Sequence, residues 1–165
     1  FLMGSERLYK FAHNNPFIEM YPVDYVNNPA VVARNDNMIS VNSALQVDFT
    51  GQVVSDTIGY KQYSGTGGQL DFVRGASWSN GGKSILAFSS TASGGKLSRI
   101  VPHIDEGASV TTPRTDTHFI VTEYGIADLR GKSVVERGKA LIKIAHPDFR
   151  EQLSKQFFEI YKKAI

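Results

Sequence analysis

The stretch Ser64-Gly65-Thr66-Gly67-Gly68-Gln69-Leu70-Asp71-Phe72 places three glycines within four positions. Because glycine tolerates positive φ and has no Cβ, the amide N–H groups of such a loop can converge on a negative oxygen. The loop therefore predicts a cradle for a phosphate or for an oxyanion. A tight turn between two strands is the other interpretation, and the glycines alone do not decide between the two.

Segments typical of β-strands lie on both sides of this loop. From residue 39 to residue 49 apolar side chains mostly occupy odd positions, which predicts one half-buried strand. The pairs Gly81-Gly82 and Gly94-Gly95 are predicted to be hairpin turns. Further strands are predicted at residues 17–21, 53–54, 84–88, 97–104 and 119–121.

Helical signals lie at the two ends of the chain. Residues 5–12 have an N-capping serine and helical spacing, and Ser133-Val134-Val135-Glu136 fits a capping box. Pro147 suits the first turn of a last helix. Strands flanked by helices predict the α/β class, a mixed sheet covered by helices, in one domain over residues 1–165. The last helix has an apolar stripe that predicts core packing: Phe149, Leu153, Phe157 and Ile160.

Composition excludes several classes of function. The chain has 18 Lys+Arg against 16 Asp+Glu, a net charge of +2, which is not the footprint of a nucleic-acid-binding protein. It has no cysteine, which excludes disulfides and a cysteine nucleophile. No apolar run approaches the length of a membrane span, so no membrane contact is expected. The default expectation is a cytoplasmic protein.

The side chains that could carry chemistry are few. No metal site is predicted, because the four histidines show no paired ligand spacing: His13, His103, His118 and His146. Glu123 is a candidate catalytic carboxylate, but capping a loop or pairing with Arg130 is the commoner role for such a glutamate. Ser89-Ser90-Thr91 could supply hydroxyls to a ligand. The sequence has neither a G-x-S-x-G elbow nor a P-loop.

Four motifs in a fixed order carry a family resemblance. They are the glycine loop continued through Leu70-Asp71-Phe72-Val73-Arg74-Gly75, then Ser98-Arg99-Ile100-Val101-Pro102, the segment 121–132 around Thr122-Glu123-Tyr124-Gly125, and Ala145-His146-Pro147-Asp148-Phe149-Arg150. The chain resembles the C-terminal domain of the acetyl-CoA hydrolase/transferase family, most closely 4-hydroxybutyrate and butyrate CoA-transferases. The opening residues 1–42 resemble this family too. The resemblance implies a fold like that of NagB, RpiA and the CoA-transferases.

The resemblance implies transfer of coenzyme A between an acyl-CoA and a short-chain carboxylic acid. A glutamate of the enzyme forms an acyl anhydride and then a glutamyl-CoA thioester, with no tightly bound cofactor. Each step passes through an oxyanion that needs N–H donors, and the resemblance assigns these to Gly67 and Gly68. Further candidate contacts of the coenzyme or substrate are Gly65, Gln69, Lys83 and Lys96.

One part of the family pattern has no match in this sequence. The nucleophilic glutamate of the family lies in a segment that precedes the matched part, and Glu6, Glu19 and Glu123 do not replace it. The opening Phe1-Leu2-Met3-Gly4, with no methionine at position 1, resembles the interior of a longer protein. We therefore expect no catalytic residue in this chain, no turnover by the chain alone, and the N-terminal domain of the same enzyme as its partner.

Two other functions stay open at this point. Within the same family, an enzyme that uses water as the acceptor in place of a carboxylic acid would be an acyl-CoA hydrolase. Outside it, the glycine and aromatic loops could form a non-catalytic nucleotide- or RNA-binding module, which the balanced charge argues against. The acyl group and the assembly state, including a homodimer, are not specified by the sequence.

Overall fold

The computed structural model describes residues 2–164, and within them forms six helices and eleven strands. The helices are α1 (Glu6–Ala12), α2 (Val23–Val26), α3 (Pro29–Val32), α4 (Gln69–Trp78), α5 (Val134–Lys143) and α6 (Pro147–Tyr161). The strands are β1 (Ile39–Asn42), β2 (Gln46–Asp48), β3 (Val53–Val54), β4 (Thr57–Ile58), β5 (Lys61–Gln62), β6 (Lys83–Ala87), β7 (Thr91–Ala92), β8 (Leu97–Ser98), β9 (Ile100–Val101), β10 (Phe119–Thr122) and β11 (Gly125–Asp128).

The largest sheet has four strands in the order β1-β6-β10-β11. The first three strands are parallel, with Val41 opposite Ile85 and Ile85 opposite Phe119, and β11 returns antiparallel to β10. Helix α4 packs against β1 and β6, and α5 packs against β11. This arrangement confirms the predicted α/β class with a mixed sheet.

A second, smaller sheet has the order β3-β2-β9, and two short hairpins, β4–β5 and β7–β8, stand beside it. The β7–β8 hairpin turns at Gly94-Gly95, as predicted. The predicted hairpin at Gly81-Gly82 is wrong, because these residues join α4 to β6. Gly82 is needed there for close approach, since a Cβ would collide with the carbonyl of Ala76.

The long alternating segment from residue 39 to residue 49 is not one strand. It breaks after Asn42, and β1 and β2 belong to different sheets. In β1 the polar Ser40 is 4% exposed whereas Val41 is 64% exposed. The phase is therefore opposite to the prediction in β1, because the helices cover the side of the sheet on which Ser40 lies.

Two other predicted strands are wrong or shorter than expected. Residues 17–21 form no strand, and the segment 97–104 divides into β8 and β9 and ends at residue 101. The opening segment 1–4 forms no strand over residues 2–4, and Phe1 lies outside the described residues. These short segments lack a neighbouring strand along their full length, so alternation alone does not make them strands.

The main core joins both sheets to the C-terminal helices. Ser133 and Glu136 form the predicted capping box of α5, and Pro147 begins α6 as predicted. From α6, Leu153 and Phe157 are buried, and the Phe157 ring meets Phe49 edge-on at 5.5 Å between centroids. The two C-terminal helices thereby hold the end of β2 and fix the sheet that carries the candidate site.

Candidate functional site

The glycine loop leads into helix α4, which the sequence analysis did not predict. Gly68 is the N-cap, and no side chain caps this helix end. The amide N–H groups of the first turn and the positive end of the helix dipole therefore face the loop without a side-chain acceptor, which favours a negatively charged group. The strand-to-strand turn does not form, because the loop leads into a helix, and the anion cradle stays a prediction.

Two glycines of the loop are required for different reasons. Gly67 has φ +57°, a left-handed conformation, while a Cβ at this position would have no heavy atom within 4 Å. At Gly68 a Cβ would collide with the side chain of Asn27 and lie 3.4 Å from Phe72. Gly67 thus sets the turn, and Gly68 permits the close packing of the loop against α2 and α4.

Gln69 is held by the core of the domain. It is 9% exposed, and its side-chain amide donates to the Thr112 hydroxyl at 3.2 Å. This bond fixes the first residue of α4 to the loop before β10. Gln69 lines a cleft on each side of the glycine loop, so it forms the wall between them.

The carboxyl ends of the three parallel strands meet beside the start of α4. Strand β1 ends at Asn42, which shares a cleft of ≈ 410 Å³ with Gly68, Gln69 and Tyr21. Strand β6 ends at Ala87, three residues before Ser90, and β10 ends at Thr122, directly before Glu123. In open α/β sheets this edge is where ligands bind, so the glycine loop lies at the expected place.

Glu123 is held by Ser90. One carboxylate oxygen accepts from the Ser90 main-chain N–H at 2.8 Å and the other from its hydroxyl at 2.7 Å. The hydroxyl bond holds the pKa of Glu123 below its ordinary value, since the charged form is the better acceptor. The carboxylate therefore caps the loop after β6, and pairing with Arg130 is not observed among the described residues.

Arg99 is a charged residue of the site that the sequence analysis did not single out. It lines a cleft of ≈ 260 Å³ together with Gly65, Thr66 and Gln69. Its Nη1 donates to the carbonyl of Ala44 at 2.9 Å, and its Nε is buried without a partner. The available signal was that Arg99 is the one charged residue of the motif from Ser98 to Pro102.

The structure does not bring the two candidate lysines to the glycine loop. Helix α4 starts at the loop and ends at Trp78, five residues before Lys83 begins β6, so Lys83 lies at the opposite end of the helix and strand. Lys96 is in the β7–β8 hairpin and lines a separate cleft of ≈ 440 Å³ with Phe149. The site at the carboxyl edge thus contains the glycines, Gln69 and Asn42, with Arg99 behind the loop.

The described residues contain no cluster of metal ligands and no membrane-spanning helix. Within residues 2–164, no three His, Asp or Glu side chains come together as metal ligands. In the same range no helix combines the length and apolar composition needed to cross a bilayer. His118 is buried and stacks on Phe119, and burial lowers the pKa of its imidazole, because desolvation disfavours the charged form.

The fold and the site together define an α/β domain with a glycine-rich loop at the carboxyl edge of its sheet. The family model described as "Acetyl-CoA hydrolase/transferase C-terminal domain" matches residues 4–157. The chain therefore belongs to the acetyl-CoA hydrolase/transferase family and corresponds to its C-terminal domain, as the four motifs predicted.

Curated relatives carry transferase names. The 4-hydroxybutyrate coenzyme A transferase of Clostridium kluyveri is 59% identical over 157 residues, which cover 95% of this chain and 37% of the relative. The butyryl-CoA:acetate CoA-transferase of Anaerostipes caccae is 49% identical over 158 residues, covering 94% of this chain and 35% of the relative. The chain thus spans about a third of the length of these relatives.

Solved structures show the same fold within longer chains. RipA from Yersinia pestis superposes with a TM-score of 0.88 at 50% identity, over 96% of this chain and 36% of that one. The 4-hydroxybutyrate CoA-transferase from Porphyromonas gingivalis gives a TM-score of 0.80 at 47% identity, again over 96% of this chain and 36% of that one. In both, the matched domain is about a third of a longer chain.

Proposed function

We propose that this chain is the C-terminal domain of a CoA-transferase that moves coenzyme A between an acyl-CoA and a short-chain carboxylic acid. The observation that carries the proposal is the glycine loop, which meets the uncapped start of α4 at the carboxyl edge of the sheet. The relatives named 4-hydroxybutyrate and butyryl-CoA:acetate CoA-transferases support this substrate class.

The proposed chemistry explains why such a loop is needed. A glutamate carboxylate attacks the thioester carbonyl, and the resulting tetrahedral oxyanion collapses to an acyl-glutamyl anhydride and the CoA thiolate. The thiolate then attacks the glutamyl carbonyl, which releases the first acid and leaves a glutamyl-CoA thioester. A second acid reverses the two steps. Both additions create an oxyanion, and the amides of Gly67 and Gly68 are the proposed donors.

The nucleophilic glutamate is proposed to lie upstream of this chain. Glu123 is at the right edge, but both of its oxygens accept from Ser90, and the same bond lowers its pKa. A carboxylate stabilised in this way is a poorer nucleophile and needs to break two hydrogen bonds to react. Residues 1–165 alone are therefore expected to be inactive without the N-terminal domain.

The remaining contacts to coenzyme A are also proposals. Gly65 and Gln69 are assigned to the loop that faces the thioester, and Lys96 to a more distant phosphate contact, since its cleft is separate from the loop. Lys83 has the weakest support because it lies at the far end of β6. No tightly bound cofactor is required. The lack of cysteines means that folding needs no oxidising compartment, which agrees with a cytoplasmic enzyme.

The test is to trap the covalent intermediate in the intact enzyme. Incubation with butyryl-CoA without an acceptor should accumulate the glutamyl-CoA thioester, which peptide mass spectrometry locates as a CoA adduct. The adduct is expected on a peptide outside residues 1–165, and acetate should discharge it as acetyl-CoA. An adduct on the peptide that contains Glu123 would contradict the assignment. Transfer by residues 1–165 alone would do the same.

An acyl-CoA hydrolase is the second candidate, because one relative favours it. The acetyl-CoA hydrolase of Yarrowia lipolytica is 38% identical over 132 residues, covering 77% of this chain and 24% of that protein. Release of free CoA from butyryl-CoA is measured with and without acetate. A transferase makes acetyl-CoA only when acetate is present, whereas a hydrolase releases CoA at the same rate in both. The balanced charge of the chain argues against the nucleotide- or RNA-binding alternative.

A further inference from the structure

One face of the four-stranded sheet is apolar and uncovered. The register aligns residues on neighbouring strands, so that Val41, Ile85 and Phe119 share one face and Asn42, Leu86 and Ile120 share the other. On the second face Leu86 is 1% exposed and Ile120 0%, under the helices. On the first face Val41 is 64% exposed and Ile126 67%.

This exposed surface, the open face, is continuous across all four strands. The side chains of Ile85, Phe119 and Val121 at its centre are half-buried. Charged side chains occur on it at one end only, where β6 begins and β11 ends, as Lys83 and Asp128. The apolar residues of the open face number seven: Ile39, Val41, Ile85, Ala87, Phe119, Val121 and Ile126.

Three of the four strands of this sheet are parallel, and its open face leaves Val41 and Ile126 exposed. Parallel strands are found almost only where both faces are covered, since their crossover segments place helices on each side. A contiguous apolar surface on this scale otherwise marks an interaction site. Strand β10 has Phe119 and Val121 on the open face and Ile120 on the other, and apolar residues on both faces are typical of a strand that is covered on both sides.

We infer that the open face is the docking surface for the part of the same polypeptide that precedes this domain, and that a helical layer of that part covers it. The family description places this chain at the C-terminal end of longer proteins. About two thirds of each long relative lies outside the match, while solved chains keep the fold over 96% of this chain. The length of chain that precedes the domain therefore supplies a partner that is always present at stoichiometric amount.

The side chains of the open face indicate what kind of surface could cover it. Because the open face carries branched aliphatic side chains and one phenylalanine, an apolar helix face is complementary to it. At the end that carries Lys83 and Asp128, polar or oppositely charged side chains are complementary. Strands β1 and β10 lead to Asn42 and Glu123, so the covering layer reaches the edge with the glycine loop. The inference depends on the fold and stands whether or not the enzyme transfers CoA.

Hydroxyl-radical footprinting of the intact, unmodified enzyme tests this inference. Mass spectrometry reports oxidation at Val41 and Ile126, with Phe158 of α6, which is 53% exposed, as the reference side chain. We expect Val41 and Ile126 to be several-fold less oxidised than their intrinsic reactivity predicts, at every protein concentration. Oxidation of both at the level set by Phe158 would overturn the inference. Protection that disappears on dilution would overturn it in favour of a second copy of the chain.

A matched pair of variants in the intact enzyme gives a second readout. Ile126→Lys places a charge beneath the proposed covering layer, whereas Phe158→Lys places one on an exposed helix surface of similar exposure. We expect the first to lower the apparent melting temperature and the second to leave it nearly unchanged. Equal, small shifts for the two variants would contradict a covered open face.

Discussion

The glycine loop makes a prediction that separates backbone strain from function. Gly67 has φ +57° and Gly131 has φ +71°, and an added Cβ meets no heavy atom within 4 Å at either position. Substitution by alanine therefore introduces the same left-handed strain at both sites and no collision at either. The two variants differ only in the position of the substitution. Gly67 lies in the glycine loop before α4, whereas Gly131 lies in the turn between β11 and α5.

The size of the strain follows from these angles. An L-residue in the left-handed region costs about 1–2 kcal/mol relative to the right-handed conformation. For a domain of this size, each kcal/mol corresponds to about 2–4 °C in melting temperature. Gly67→Ala and Gly131→Ala should therefore each lower the melting temperature by about 2–8 °C, and by similar amounts.

Their effects on catalysis should differ. If the Gly67 amide donates to the oxyanion, displacing it costs up to the roughly 10²–10³-fold in kcat that loss of one oxyanion donor produces. Gly131→Ala should leave kcat unchanged. The assay is transfer of CoA from butyryl-CoA to acetate by the intact enzyme at a temperature where both variants are folded. Equal rates for the two variants would refute the role of the loop in the chemistry.

Three further perturbations follow from the described contacts. Ser90→Ala should raise the pKa of Glu123, which ¹³C NMR titration of its carboxyl measures. Because the pKa of Glu123 is lowered in the folded state, the bond to Ser90 stabilises the fold above the unfolded-state pKa, and this stabilisation is lost as the pH falls through the folded-state pKa. The stability of the variant should therefore depend less on acid pH than that of the parent. An unchanged pKa would exclude the hydroxyl as its cause. Gly138→Ala should cost about 1–3 kcal/mol in urea unfolding, because the new Cβ would lie 2.9 Å from Cδ2 of Phe157 in the core. Ser133→Ala should cost about 1 kcal/mol through loss of the α5 capping box, whereas Ser133→Thr should restore most of it; equal stabilities of these two would argue against the cap.

Local signals in the sequence predicted the parts of the fold that local contacts determine. The capping box at Ser133 and the proline at position 147 satisfy backbone groups a few residues away, so they were found directly. Helix α4 was missed because its N-cap is Gly68 and its residues include Gly75, both of which are typical of loops. Gly75 is required by tertiary packing, since a Cβ would collide with Val32 of α3.

Long-range relations could not be predicted in the same way. The phase of β1 depends on which face of the sheet the helices cover, and the alternation of Ile39 and Val41 fits either face. At the site, the glycines were found because their composition is unusual. The partner of Glu123 was not, since Ser90 lies 33 residues away and no local pattern links the two. Arg99 was missed because only the fold brings it to Gly65.

The order in which the chain visits its two main sheets has a consequence for how the domain forms. The chain places β1 in one sheet, moves to β2 and β3 in the other, returns for β6, leaves again for β9, and comes back for β10 and β11. Strand β1 pairs with β6, so that Ile39 lies opposite Lys83, and β2 pairs with β9, so that Val47 lies opposite Ile100. Each sheet therefore depends on contacts between residues more than 40 positions apart in the sequence. Pairing between such distant residues makes folding slow, and interleaving makes it all-or-none. A chain that ends before residue 119 contains all three strands of the smaller sheet but lacks β10 and β11, which are half of the larger one.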